Sequence, residues 1–295
     1  LLVDINDQGT FAPEFNPTKA VKISEGAMTK EMLQPEPMAR GMAALSEYLP
    51  IIDENNCEST VAFAPSGIRS TQNGEEFVAN VKSELGLTIN VIDGDEEAQL
   101  IYEGVDLAIK FDQQPMVVMD IGGGSTEFII ADDSGVIWKK SYKLGISRIL
   151  QMLEPQDPLT QADFENLNEL FEDRLHELKQ QCELHGVKTM VGSSGSFDSF
   201  IEMLWAEDGI MRDAGSVVTE EFNLDRVLQL HNKLTSLDFE RRKEIPGLVL
   251  MRVESIHLAS YMVQWVMKNC GLERLLLSSY ALKEGVLHRA LENRI

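Results

Sequence analysis

The stretch VVMDIGGGSTEFII, residues 117–130, decides the fold. Two runs of β-branched and apolar residues flank three consecutive glycines, with Asp120 on one side and Ser125, Thr126 and Glu127 on the other. Each glycine gives up more backbone freedom on folding than another residue would, so a local return is expected. The loop is not a P-loop, because no Gly-Lys-Ser/Thr follows, and not a dinucleotide fingerprint, because a strand follows it instead of a helix. It reads as a tight turn between two strands. Such a turn can aim successive N–H groups into one anion-binding concavity, and Gly122, Gly123 and Gly124 would admit a phosphate close to the backbone. Ser125 and Thr126 add hydroxyl donors, while Asp120 and Glu127 suit a divalent cation or an attacking water. A glycine-rich hairpin with solvated carboxylates stays open as the plainer reading.

Outward from this hairpin, MVVMD, TEFIIA and VIWKKSYKLG read as three strands joined by GGGS and DDSG. ISRILQML, the run from Thr160 to Gly186, FDSFIEMLWAED and KEGVLHRALENRI read as helices, and TMVGSSGS and RLLLSS as strands. Upstream, LLVDINDQGTFAPEFNPTKAVKISEG suggests a β-meander, and residues 28–56 a helix broken at Pro35 and Pro37. TVAFAPSG, NGEEFVANVKSELG, LTINVIDG and DEEAQLIYEGVDLAIKF continue as strand, helix, strand and helix. The alternation predicts an α/β protein of two domains, 1–112 and 113–295, divided where FDQQP interrupts the pattern, with the last helix packing back on the first domain. LLVD has the character of a strand entered in its middle, so a first strand and loop are expected ahead of Leu1 in the natural chain.

A second glycine turn, VGSSGSFDSF at 191–200, follows a strand and opens a helix, where backbone N–H groups favour an anion. Gly192, Ser193 and Gly195 are its candidate phosphate contacts; an ordinary N-capped start at Ser194 or Ser196 is the alternative. In APSGIRSTQNGEEF, Arg69 sits among small polar residues, either as a phosphate clamp or in a surface ion pair. In DGDEEAQLIYEGV, a rotation of about 100° per residue puts Ala98, Leu100, Ile101 and Val105 in one apolar sector, with Asp95, Glu96, Gln99 and Glu103 pointing away. Glu97 falls between Leu100 and Ile101 and should face inward, where a carboxylate is costly unless paired or used.

Composition excludes several functions. With 26 Lys and Arg against 48 Asp and Glu, the formal charge of −22 disfavours nucleic acid as a partner. The apolar run LASYMVQWVM is broken by Gln264 and falls short of the roughly 18 residues of a membrane span. Cys57, Cys182 and Cys270 form no CxxC pair and read as small buried hydrophobes of a reducing, cytoplasmic compartment. The five histidines show no metal-ligand spacing.

Together these stretches resemble the Ppx/GppA phosphatase family, the exopolyphosphatases and guanosine pentaphosphate phosphohydrolases. APSGIRSTQNGEEF resembles the family segment with an arginine and an asparagine, here Arg69 and Asn73. VIDGDEEAQLIYEGV resembles its catalytic helix and DIGGGSTEF its second phosphate loop. KLGISRIL resembles the segment with a paired Gly145 and Arg148, and VGSSGSFDSF the third glycine loop. RRKEIPGLVLMRVESI and LSSYALKEGVLHRAL resemble the closing elements. The resemblance implies a two-domain actin-like ATPase (ribonuclease H-like) fold with an interdomain cleft. It implies Glu97 as the base that orients water, Asp120 and Glu127 as ligands of Mg²⁺ or of that water, and Gly122, Gly123, Gly124 and Ser125 as holders of phosphate oxygens, with Arg69 as a clamp. The expected activity is hydrolysis of the terminal phosphate of inorganic polyphosphate or guanosine pentaphosphate, by a homodimer. A non-hydrolytic phosphate or nucleotide sensor, or an actin-like ATPase or kinase, is the alternative.

Overall fold

The structure is a computed structural model that describes residues 1–5, 11–64 and 66–292. The chain divides into two compact units, one of residues 1–93 with 286–295 and one of residues 94–285. The architecture is the mixed α/β, two-unit fold expected. The turn expected at 6–10, the first residue of the Pro-Ser-Gly turn and the last three residues of the closing helix lie outside the described residues.

In the first unit, β1 (Leu2–Ile5) pairs antiparallel with β2 (Phe11–Phe15), and β3 (Ala62–Ala64) pairs parallel with β4 (Ile89–Val91). The helices are α1 (Ala27–Lys30), α2 (Pro35–Glu54), α3 (Ser66–Arg69) and α4 (Gly74–Leu85). Leu33, Ala64, Ile68, Phe77 and Val81 form its core. Pro35 opens α2 where the sequence suggested a break. At the first helical position a proline loses no helix hydrogen bond and its φ is already suited.

The second unit is built on a six-stranded sheet. Its strands are β5 (Met116–Ile121), β6 (Thr126–Asp132), β7 (Gly135–Tyr142), β8 (Thr189–Ser193), β9 (Thr219–Glu221) and β10 (Arg274–Ser278), in the order β7-β6-β5-β8-β10-β9. β5, β8 and β10 run parallel, and β6, β7 and β9 are antiparallel to their neighbours. Its helices are α5 (Gly94–Ala108), α6 (Ile146–Leu153), α7 (Gln161–Arg174), α8 (His176–Leu184), α9 (Gly195–Glu207), α10 (Leu224–Ser236), α11 (Phe239–Arg242), α12 (Ile256–Asn269) and α13 (Leu282–Leu291), the last crossing into the first unit.

Every residue of β5 is buried, which is why its sequence runs apolar without alternation. The strand period of two divides it between two cores. Val117 and Met119 join Phe128 and Ile130 in the larger core, with residues of α6–α10 and α12. Met116 and Val118 join Ile129, Ala131 and the α5 residues Ala98, Ile101 and Val105 on the other face. This second cluster explains why the unit border falls at Asp93, not at the FDQQP interruption: α5 is the cover of the sheet that follows it.

Two glycines hold α5 against the start of α13. A Cβ on Gly104 would lie 1.8 Å from the Ala281 carbonyl oxygen, and one on Gly285 would lie 1.8 Å from that of Leu100. Backbone is on both sides of the contact, so neither clash is relieved by a rotamer change. Gly104→Ala should cost about 1–3 kcal/mol, the usual range for overpacking. In urea unfolding this would read as a lower midpoint with unchanged slope; an unchanged midpoint would show that the helices separate freely.

Candidate active site

The hairpin register builds the site. Gly122 donates to the Ser125 carbonyl at 3.0 Å, closing a four-residue turn between β5 and β6. Ile121 then faces Thr126, and Asp120 faces Glu127. Asp120 shares the strand face of Met116 and Val118, and Glu127 that of Ile129 and Ala131, so both carboxylates point to the α5 side of the sheet. The rung extends further, because Glu127 also pairs with Ser141 and Asp120 with Ser193. Four adjacent strands thus line up Ser141, Glu127, Asp120 and Ser193. The outer hydroxyls donate inward, Ser141 Oγ to Glu127 Oε1 at 2.6 Å and Ser193 Oγ to Asp120 Oδ2 at 2.8 Å.

Glu97, in the first turn of α5, faces inward as its helical phase required and is 6% exposed. Its charge raises the proton affinity of both Asp120 and Glu127, so the three carboxylates form one electrostatic cluster. Burial pushes the Asp120 carboxyl up to about 6, opposed by the Ser193 hydrogen bond and helped by Glu97. Burial also raises Glu127, with Glu97 and Asp120 adding to the rise against Ser141 and Ser125.

The glycine loop presents its carbonyls and its N–H groups to different partners. Ile146 donates to the Gly122 carbonyl at 3.0 Å and Arg148 to that of Gly123 at 3.1 Å, while Arg148 Nε reaches the Gly124 carbonyl at 2.9 Å. The start of α6 therefore clasps the carbonyl side. The N–H groups of Gly123, Gly124 and Ser125 donate no main-chain hydrogen bond among the described residues. None of the three glycines has a left-handed φ, so the loop achieves this through its clasp and not through an αR-αL nest. The tightest approach is at Gly145, where a Cβ would lie 2.3 Å from Gly123 C and Gly124 N.

The second glycine turn adjoins the first. Ser194 Oγ accepts from the Ile121 N–H at 3.3 Å and donates to the Ile121 carbonyl at 3.1 Å, so it does not cap α9. Its φ of 76° and ψ of 167° fall in a region essentially reserved for glycine, a strain that the two hydrogen bonds to Ile121 sustain. The two glycines here answer to packing. A Cβ on Gly192 would meet the Phe197 ring at 2.1 Å, and one on Gly195 would meet Arg252 Nη2 at 1.7 Å. Ser193 has its hydroxyl engaged by Asp120.

Arg252 was not singled out by sequence. It ends a short 3₁₀ turn, Leu250–Arg252, and its guanidinium makes no hydrogen bond or ion pair with a described residue. Burial lowers its pKa, offset by the charges of Asp198, Glu202 and Asp120. Arg69 ends α3 in the first unit, where its Nη1 donates to the Ile92 carbonyl at 2.5 Å. Asn73, in the same unit, pairs both ends of its amide with the Leu33 backbone, at 2.7 and 3.1 Å.

A family model for the Ppx/GppA phosphatase family matches residues 2–294. The chain belongs to the Ppx/GppA phosphatase family. Among solved structures, this Ppx/GppA chain is similar to an exopolyphosphatase from Cytophaga hutchinsonii, at 28% identity over 99% of this chain and 93% of the other, with a TM-score of 0.94. A Ppx/GppA family member from Aquifex aeolicus shares its fold at 22% identity, covering 99% and 94% of the two chains with a TM-score of 0.78.

For this Ppx/GppA chain, among the described residues, no group of three or more His, Cys, Asp or Glu side chains is arranged to hold a metal ion. Magnesium asks for less, since it keeps several waters and takes one or two carboxylates together with phosphate oxygens. Asp120 and Glu127 fit that requirement. They are cross-strand neighbours, and a dication would relieve the repulsion that raises their proton affinities. No described helix is long and apolar enough to cross a membrane. Of the three cysteines, only Cys182 is fully buried; Cys57 and Cys270 are half-buried, which corrects the expectation for those two.

The raised carboxylates set a pH dependence. Asp120 binds its proton more tightly folded than unfolded, so its contribution to stability is full below about pH 4 and is lost as pH rises through about 6. Asp120→Asn should therefore be the more stable protein at pH 8, by roughly 2 to 3 kcal/mol, with the difference vanishing near pH 4. Thermal midpoints of both proteins across pH 4–8 test this; a difference that does not change with pH would refute it.

Proposed function

We propose that this chain hydrolyses the terminal phosphoanhydride bond of inorganic polyphosphate or guanosine pentaphosphate. The observation that carries the reading is the pairing of an N–H-presenting glycine loop with a cluster of three buried carboxylates at its base. In-line transfer of a phosphoryl group needs donors for the equatorial oxygens, positive charge for the developing negative charge, and a group that positions water. The N–H groups of Gly123, Gly124 and Ser125 are the donors. The N-terminus of α9 and the Arg252 guanidinium supply positive charge. Glu97 orients the water and takes its proton as the new P–O bond forms and the bridging P–O bond breaks, leaving orthophosphate and a chain shortened by one phosphate.

Asp120 and Glu127 would hold Mg²⁺, which when bound neutralises charge on the phosphoryl oxygens. Ser141 and Ser193 fix the rotamers of these two carboxylates by taking one oxygen of each. The overall charge of −22 repels polyanions at long range, so the local donors and Arg252 must outweigh it at contact. Membership of a phosphatase family and the likeness to an exopolyphosphatase support hydrolysis over sensing.

The test is orthophosphate release, with and without Mg²⁺, from polyphosphate, guanosine pentaphosphate and ATP in parallel. Release from either of the first two supports the reading and identifies the substrate. Binding of both without turnover would establish a sensor, and ADP formation from ATP alone an ATPase or kinase.

A further inference from the structure

Arg242 is the largest fully buried side chain in the described core, 0% exposed, and the residues already assigned to chemistry do not explain it. It ends α11, and its fork meets the Asp157 carboxylate at two points, Nη1 to Oδ1 at 2.6 Å and Nη2 to Oδ2 at 2.9 Å. Its other donors reach backbone. Nη1 also donates to the Leu237 carbonyl at 2.5 Å, and Nε to the Val253 carbonyl at 3.0 Å. Asp157 accepts in addition from the Phe239 N–H at 2.8 Å. Four of the five guanidinium N–H donors are thus engaged, the kind of pairing a charge buried this deeply requires.

The two ends of this bond network lead to two different elements of the candidate site. Val253 is the next residue after Arg252 and is itself 0% exposed. Asp157 stands on the segment that leaves α6, and the start of α6 clasps the carbonyls of the glycine loop. One bidentate pair therefore links the element that shapes the phosphate loop to the turn that carries the unpaired arginine. Arg252 has no hydrogen bond of its own to hold it, so its placement against Gly195 depends on the backbone that Arg242 grips.

We propose that Asp157 and Arg242 act as a positioning pair, setting the register of Arg252 against Gly195 at the start of α9. The inference rests on the function proposed above for the Arg252 side chain, but its structural half is measurable without any substrate. The planar fork matters more than the charge, because a lysine would reach one carboxylate oxygen and no second backbone carbonyl. A pair kept only for stability would loosen the whole unit when broken. A positioning pair loosens the 250–253 turn first.

Two variants test this, Arg242→Lys and Asp157→Asn, the second chosen because the Asp157 side chain is 34% exposed and its amide keeps the shape. Hydrogen exchange on the full chain should show amides of Arg252 and Val253 opening about tenfold faster in either variant, with the central strands β5 and β8 unchanged. Unchanged exchange at 252–253, or equal acceleration everywhere, overturns the proposal. Phosphate release is then measured in a double-mutant cycle with Arg252→Ala. Asp157→Asn alone should lower kcat/KM by about tenfold, and by less than about twofold once Arg252 is already Ala, the non-additivity expected of residues acting through one another. Additive losses overturn the proposal. If the wild-type protein hydrolyses neither substrate, the functional reading fails, and the exchange result alone decides the pair. Should Arg242→Lys not fold, Asp157→Asn carries both measurements.

Discussion

Replacing Glu97 by Gln should lower the turnover of polyphosphate or guanosine pentaphosphate by about 10²- to 10⁴-fold, the range for loss of a general base. KM should change little, because in the proposed mechanism the carboxylate positions water and does not bind the phosphate chain. The isosteric amide is preferable to alanine here, since Glu97 lies beside Ala98 and Ile101 at the edge of a packed core and truncation would open a hole. The variant should also be more stable than the wild type at neutral pH. Its charge raises the proton affinities of both Asp120 and Glu127, so neutralising it removes a repulsion that the folded state bears. Loss of activity with gain of stability is the signature of a residue kept for chemistry. Wild-type turnover in Glu97→Gln would end the general-base assignment, and a less stable variant would show that repulsion from Asp120 and Glu127 does not dominate at this position.

Much of this cluster is legible in the sequence, and the reason is that it depends on local periods. The four-residue turn fixes the hairpin register, so Asp120 and Glu127 must face one another, and strand parity puts them on one side of the sheet. Helical phase alone turned Glu97 inward. What the sequence did not disclose depends on distant residues. Ser141 is an unremarked residue of VIWKKSYKLG until β7 pairs with β6. Arg242 meets Asp157 across 85 residues, and nothing local distinguishes Arg242 from its neighbour Arg241. The short strand β9 was missed because its residues, Thr-Glu-Glu, have no apolar alternation and gain strand form only by pairing with β10. The glycines of VGSSGS suit close approach of an anion in sequence, and in the structure Gly192 also makes room for the Phe197 ring and Gly195 for the Arg252 guanidinium. A glycine in sequence signals that something approaches closely, but not what does so.

That distinction yields the second large effect. Gly145 has φ of −68° and ψ of 151°, a conformation any residue adopts, so Gly145→Ala introduces no backbone strain of its own. The added methyl would nevertheless sit 2.3 Å from Gly123 C and Gly124 N, and 2.4 Å from the Gly123 oxygen. These are backbone atoms of the glycine loop, tied to α6 by the Ile146 and Arg148 hydrogen bonds, and they can yield only by moving the loop. A displacement on the order of 1 Å in a positioning element costs about 10²-fold in rate. Gly145→Ala should therefore lose about two orders of magnitude in kcat for phosphate release, and orthophosphate should inhibit it more weakly than it inhibits the wild type if the same N–H groups hold product, as proposed. Gly195→Ala is the contrasting variant. Its methyl meets the far end of an arginine side chain, which can yield without moving backbone, so the loss should be smaller and, since Arg252 is proposed to stabilise developing charge, fall on kcat. Equal losses in the two variants, or wild-type kinetics in Gly145→Ala, would show that the glycine loop does not hold the phosphate.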